Sequence, residues 1–230
     1  MLNIYCLNGP PLLFYISASL HRSGIMSHYF TGDNTEHEYR EIKFNYRDRV
    51  YRFKTDRGVF SRDRIDYGSS VLIDAVVHDT SISEGGVFVD MGAGYGPIGT
   101  VLGDVLGAKP IMVEVNSDAL MLCRGNAEQN DVEAEVMDRV EYDAMEFAEP
   151  PALYVTNPPF RAGKPVVLEM IEDAHRKLGS GGSFYMVVQK KQGMPSYRKA
   201  VEKLFGNSEI VVKDKGYHVL KGVKMQTPDV

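Results

Sequence analysis

The sequence predicts an α/β protein: a mostly parallel sheet with helices on both of its faces. Three observations carry this. Short β-branched and aromatic runs at 87–89, 111–115, 134–138, 153–156 and 183–188 alternate with segments of helical periodicity, the order in which crossover helices return a chain to the same end of a sheet. Most of these runs are apolar without a polar alternate, as in strands covered on both faces. Asp90, Glu114, Asp138 and Asn157 each fall at or just after the carboxyl end of a run, the edge at which such sheets take up ligands.

Taken in order, residues 1–25 read as an extension. Met26 opens Met-Ser-His-Tyr-Phe, and Arg22-Ser-Gly24 is what a purine-rich ribosome-binding site just upstream of a start codon would encode. Met26 is therefore expected to be the natural start, which the intact mass of protein made from the native transcript would check. Residues 26–67 form a first unit: Ile42, Phe44 and Tyr46 alternate with polar residues, Arg47-Asp-Arg49 turns the chain, and Tyr51, Phe53 and Thr55 alternate again, a β-hairpin over 41–56 followed by a charged loop. Residues 68–230 form the main domain. Ser69 or Ser70 is expected to cap its first helix, with Val71, Leu72, Ala75 and Val76 facing inward.

The strand Val87-Phe-Val89 stops at Asp90, and a glycine loop leads into a helix that Pro97 begins. After the strand 111–115 comes a helix over Asp118 to Gln129, closed by Asn130. Strands at 134–138 and 153–156 follow, and the second runs straight into Asn157-Pro-Pro-Phe160. A helix over 166–178 ends at Gly179-Ser-Gly-Gly182, strand 183–188 and a helix over 196–205 come next, and Ile210-Val-Val212 and Tyr217-His-Val-Leu220 make a terminal antiparallel hairpin. That totals seven strands in the main sheet.

At 230 residues the chain can bury one full core. Its first 20 residues are apolar but broken by Asn3, Asn8, Gly9, Pro10 and Pro11, and no uninterrupted apolar run reaches membrane-spanning length, so a soluble, cytoplasmic protein without membrane contact is expected. Cys6 and Cys123 are too few for a disulfide framework or a cysteine zinc site, and no metal is expected. Charge is uneven within a net −5: residues 84–150 carry 14 acids against 3 bases, and residues 189–230 carry 9 bases against 4 acids. If the chain ends meet over the mouth of the site, a basic rim surrounds an acidic half.

The loop Asp90-Met-Gly-Ala-Gly-Tyr-Gly-Pro offers backbone N–H groups at a helix N-terminus, with Gly92, Gly94 and Gly96 allowing close approach to the backbone. It fits two ligands. Gly94-Tyr-Gly-Pro-Ile-Gly99 satisfies the dinucleotide pattern G-x-G-x-x-G, and Glu114 lies about 20 residues on, where a ribose-binding acid belongs. Asp90 weighs the other way, since an anion there repels a pyrophosphate and suits a ligand with an ammonium and a sulfonium. Glu114 can accept from two vicinal ribose hydroxyls in either case, and Asp138 can accept from an adenine amino group or simply be a surface acid. Asn157-Pro-Pro-Phe160 is stiff, because both prolines fix φ and hold their predecessors extended. It presents the Asn157 oxygen and the Pro158 carbonyl as two acceptors for a planar NH2, with Phe160 to stack on the attached plane.

The pairing of Asp90-Met-Gly-Ala-Gly-Tyr-Gly with Asn157-Pro-Pro-Phe resembles the amino-methylating branch of class I S-adenosylmethionine (SAM) methyltransferases, which includes adenine-N6, glutamine-N5 and guanine-N2 enzymes. Gly58-Val-Phe-Ser61 with Ile65-Asp-Tyr-Gly-Ser69, Asn157 to Gly163, Gln189-Lys-Lys-Gln-Gly193 and Lys215 to Leu220 is similar to the "methyltransferase small domain" family of 16S ribosomal RNA guanine-N2 methyltransferases, over about residues 27–224. The resemblance implies a Rossmann-like class I fold and SAM as cofactor, held by Asp90, Gly92, Gly94, Gly96, Glu114 and Asn116 with Asp138 toward its adenine. It further implies that Asn157, Pro158, Pro159 and Phe160 hold the target amine, and that Phe60, Ser61, Arg161, Lys164, Lys190 and Lys191 meet the substrate. The implied partner is ribosomal RNA or the small ribosomal subunit. Longer members carry a duplicated, degenerate N-terminal domain that aids RNA recognition, where this chain has the 41–56 hairpin. The readings to be separated from this one are a protein glutamine-N5 methyltransferase, a dinucleotide-dependent oxidoreductase and a non-catalytic SAM- or RNA-binding module.

Overall fold

The computed structural model describes residues 37–59, 61–80 and 82–225. The expectations for residues 1–25, for Met26 and for Phe60 lie outside the described residues. Strands β1 (Arg40–Tyr46) and β2 (Arg49–Thr55) form the hairpin, with Ile42 opposite Phe53 and Phe44 opposite Tyr51 across a turn at Arg47 and Asp48. Its alternation puts Ile42, Tyr46, Tyr51 and Phe53 in the core, as the period of two requires.

The main unit runs α1 (Tyr67–Asp79), β3 (Val87–Met91), α2 (Pro97–Leu106), β4 (Lys109–Val113), α3 (Ser117–Gln129), β5 (Glu135–Met137), α4 (Arg139–Ala144), β6 (Leu153–Thr156), α5 (Lys164–Lys177), β7 (Ser183–Gln189), α6 (Met194–Phe205), β8 (Glu209–Asp214) and β9 (Tyr217–Val223). The sheet order is β5-β4-β3-β6-β7-β9-β8, with β9 antiparallel to both of its neighbours and the rest parallel. Alternate strand residues face opposite layers: Phe88, Val155 and Tyr185 pack with α1, α2 and the hairpin, while Val89, Tyr154 and Phe184 pack with α5 and α6. The chain order reverses where β3 lies against β6, so the residues that follow these two strands share one crevice.

The hairpin is fastened to α3 rather than to the sheet. Asn126 and Asn130, one turn apart and both buried, turn their amides to the outer edge of β2. Asn126 accepts from Lys54 N at 2.7 Å and donates to Lys54 O at 2.9 Å, and Asn130 does the same for Arg52 at 3.0 and 2.7 Å. Two side chains thus supply the hydrogen bonds a third strand would have made.

Three local expectations are corrected. Helix α1 is capped by Asp66, whose carboxylate accepts from Ser69 N at 3.1 Å, not by Ser69 or Ser70: the aspartate precedes the first turn and reaches its free N–H groups. The strand expected at 111–115 begins at Lys109 and ends at Val113, because Glu114 turns back onto its own backbone. A six-residue helix, α4, stands where the acidic segment had shown none, started by a reciprocal box in which Asp138 accepts from Val140 N and Glu141 N and Glu141 accepts from Asp138 N. Among the described residues, no helix is long and apolar enough to cross a membrane.

Candidate active site

The glycine loop leaves β3 and crosses the end of β4, with Gly92 N and Ala93 N donating to Val113 O at 2.9 and 3.0 Å. Gly92, Gly94 and Gly96 have φ of 74°, 60° and 88°. At Gly94 a Cβ would meet nothing within 4 Å, so the missing side chain leaves open space above the loop. Helix α2 follows with Pro97 in its first turn, as expected.

Asp90 is fully buried below this loop. Its Oδ2 accepts from Gly99 N at 2.8 Å, and its Oδ1 is buried with no partner. Burial pushes its carboxyl up to about 7, the Gly99 N–H offsets part of that, and Glu114 adds to it. The fixed charge expected there is therefore conditional: a cation beside Oδ1 would restore it. Glu114 is turned onto the loop. Its Oε2 accepts from Gly94 N at 2.8 Å and its Oε1 from Val115 N and Asn116 N at 2.8 and 2.9 Å, which ties the second rim acid to the middle glycine. Asn116 caps α3, accepting from Asp118 N and Ala119 N. Asp138 stands one strand further out, with one oxygen committed to the start of α4.

On the other side of the crevice, Thr156 ties β6 to β3 by donating to Met91 O at 2.8 Å, and Asn157 follows it. The Asn157 amide nitrogen donates to Asp66 Oδ2 at 2.9 Å and to Ser69 Oγ at 3.0 Å. Pro158 O accepts from Phe160 N at 2.9 Å, which occupies one lone pair and leaves one. The Phe160 ring is braced by Tyr197 of α6, with centroids 5.7 Å apart. Arg161 and Lys164 follow this corner and Lys190 and Lys191 follow β7, all exposed along the same edge. Ser61 sits in a turn with φ of 58°, its hydroxyl donating to Arg64 O at 2.5 Å.

The sequence reading missed Asp66 and Ser69 as partners of Asn157, and also two apolar residues on the rim. Val115, beside Glu114, is 43% exposed and Val140, beside Asp138, 77%. Two bare aliphatic side chains, one after β4 and one in the first turn of α4, are what a flat heteroaromatic ring covers, and the signal was an apolar residue one or two positions past each rim acid. An unpartnered buried carboxylate oxygen, open space over Gly94 and a second acid on the loop form an acceptor set that suits a cation-bearing nucleoside and opposes a pyrophosphate. Among the described residues, no group of three or more His, Cys, Asp or Glu side chains is placed to hold a metal.

Comparison with known proteins agrees. The family model for the methyltransferase small domain matches residues 50–221. The chain is 38% identical to uncharacterized protein YbxB of Bacillus subtilis (strain 168), over 79% of this chain and 90% of that one. It is 32% identical to ribosomal RNA large subunit methyltransferase G of Cronobacter sakazakii, over 73% of this chain and 45% of that protein. Among solved structures, the T. thermophilus 16S rRNA N2 G1207 methyltransferase (RsmC), in complex with AdoMet and guanosine, superposes with a TM-score of 0.72 at 26% identity, covering 81% of this chain and 50% of that one. The chain thus spans about half the length of the ribosomal RNA methyltransferases it matches. The cofactor is S-adenosylmethionine, and the chain belongs to the methyltransferase small domain family of SAM-dependent methyltransferases.

Proposed function

We propose that this protein methylates the exocyclic N2 amine of a guanine in small-subunit ribosomal RNA, in the cytoplasm. One observation carries the reading: Asn157 has both amide N–H bonds engaged by Asp66 and Ser69, which leaves its oxygen for a donor NH2. The likeness to the T. thermophilus enzyme supports guanine N2.

When bound, SAM supplies an electrophilic methyl on a sulfonium. The residues assigned to it are Asp90 for its positive charge, Gly92, Gly94, Gly96 and Asn116 for close backbone approach, Glu114 for the ribose hydroxyls, and Asp138 with Val115 and Val140 for the adenine. Opposite them, the Asn157 oxygen and the Pro158 carbonyl each take one N–H of the target amine, so that its lone pair faces the crevice. Phe160, held by Tyr197, stacks on the base and offsets part of the cost of drawing it out of its strand. Arg161, Lys164, Lys190 and Lys191 take backbone phosphates, and Phe60 and Ser61 are assigned to the substrate. No strong base is needed, because the proton leaves after transfer; alignment is the main contribution. In this scheme residues 68–230 form the SAM-binding methyltransferase domain, and residues 26–67 supply the β-hairpin and a loop that serves substrate and cofactor.

A second reading, a base in large-subunit RNA, is favoured by the likeness to ribosomal RNA large subunit methyltransferase G. Nucleoside mass spectrometry of small- and large-subunit RNA, separated from a strain lacking the gene, distinguishes them. Loss of N2-methylguanosine from the small-subunit RNA is the expected result, and RNase-resistant methyl acceptance in an extract would point to a protein substrate instead.

A further inference from the structure

We propose that Asp66, with Ser69, is a positioning residue that fixes which end of the Asn157 amide faces the substrate. The inference rests on the reading of Asn157 as the acceptor for the target amine. An asparagine amide is nearly symmetric in shape and opposite in hydrogen-bond sense at its two ends. Turned over, it would set an NH2 against the substrate NH2, donor facing donor. Nothing in the Asn157-Pro-Pro backbone prevents that turn, since the side-chain amide rotates independently of φ and ψ.

Asp66 prevents it. A carboxylate can only accept, so the group 2.9 Å from Oδ2 must be the amide nitrogen, and a turned amide would bring a carbonyl oxygen against an anion. Ser69 Oγ, at 3.0 Å, takes the second N–H. With both donors spent on the protein side, the only free polar atom of Asn157 is its oxygen.

Asp66 is itself held. The same Oδ2 accepts from Ser69 N at 3.1 Å in the first turn of α1, where free N–H groups favour an anion. Asp66 O accepts from Ser70 N at 3.1 Å, and the helix behind it buries Leu72, Ile73 and Val76. Gly68 closes the assembly: a Cβ there would lie 2.9 Å from both Asp66 Oδ2 and Tyr217 Cε1, so the capped helix start is pressed against β9 with no room for a side chain. Asp66 and Asn157 are 91 residues apart, which makes this the point where the N-terminal segment is built into the acceptor corner.

The test compares Asp66→Ser, Asp66→Asn, Ser69→Ala and Asn157→Ala in methyl transfer to ribosomal RNA from the deletion strain, with S-adenosylhomocysteine affinity by calorimetry. Asp66→Ser keeps a helix cap but not the reach to Asn157, and kcat should fall on the order of 100-fold while KM for RNA and cofactor affinity stay within about twofold. Asp66→Asn keeps an acceptor without the charge and should recover about tenfold of that loss, a rescue that a purely structural role would not give. Should Asp66→Ser and Ser69→Ala keep full kcat while Asn157→Ala is inactive, positioning by Asp66 is overturned and the acceptor reading stands. If Asn157→Ala keeps full kcat, the acceptor reading itself fails. A misfolded Asp66→Ser leaves the decision with Asp66→Asn, whose kcat must then fall below wild type with cofactor affinity unchanged.

Discussion

Asp90 meets two opposed demands. Its carboxyl is ordinary in the unfolded chain and pushed up to about 7 in the folded one, chiefly by burial. A raised folded value means that its stabilising contribution is complete below pH 4 and is lost as pH rises through 7. The loss is on the order of 4 kcal/mol. A cationic cofactor demands the anion, so its affinity runs the other way and should weaken ~tenfold for each pH unit well below 7. Thermal melts between pH 5 and 8 should show the free protein losing stability toward pH 8 and the SAM-induced rise in Tm growing toward pH 8. Asp90→Asn should melt higher than wild type at pH 8, bind SAM at least about tenfold more weakly and lose the pH trend; unchanged affinity would remove Asp90 from the cofactor site. Asn157→Ala should lower kcat by roughly 10²- to 10³-fold with S-adenosylhomocysteine affinity within about twofold of wild type, since the lost contact belongs to the amine alone. Asp90, Glu114 and Asn157 were legible because each ends an apolar run. Asp66 was not, because an acid before a helix reads as a cap and its second partner is distant in the chain.

Elements show the same division. Strands β3, β4, β6 and β7 and helices α2 and α3 follow from apolar runs and punctuation by glycine and proline, and their expected boundaries are met within two residues. Helix α4 was hidden, since six residues carry too little periodicity and its signature, Asp138 followed by Glu141, sat inside a uniformly acidic stretch. The hairpin was legible from its alternation, but its docking was not, because Asn126 on a helix reads as a neutral surface residue and Asn130 reads only as the end of that helix. Buried, they bind four backbone groups of β2, and Asn126 also donates to Tyr95 O at 2.8 Å, which adds a hydrogen-bonded link between hairpin and glycine loop to the edge contact of Phe53 with the Tyr95 ring. Removing either amide leaves part-buried backbone groups of Arg52 or Lys54 to be met by water, at a cost of about 1 kcal/mol each. Asn130→Ala should therefore lower stability in denaturant titration with little change in SAM affinity, whereas Asn126→Ala should lower both. Equal SAM affinity in the two variants would show that the Asn126 link does not hold the loop for the cofactor.

At the scale of the molecule, charge follows sheet order. The acid-rich segment, residues 84–150, supplies β3, β4 and β5 at one end, and the base-rich segment from residue 189 supplies β8 and β9 at the other, with β6 and its Asn157 between. Among the described residues, the basic rim expected to ring an acidic mouth is instead a polarity across the sheet, and α1 meets β8 on the basic side, where Tyr67 bonds Asp214. Such an arrangement takes a cation-bearing cofactor from one half and a polyanion from the other without either crossing the opposing field. Four exposed bases, Arg161, Lys164, Lys190 and Lys191, lie along the carboxyl edge on the basic side of the crevice. If each neutralises one phosphate of an unpaired strand, log K for RNA should fall against log salt with a slope of about −3, or roughly 50-fold between 50 and 200 mM. Each Lys→Gln change should flatten the slope by about 0.7, and the fourfold variant should bind RNA almost independently of salt while SAM affinity stays constant. Filter binding across a salt series measures this, and slopes indifferent to these four residues would move the RNA path to another face of the protein.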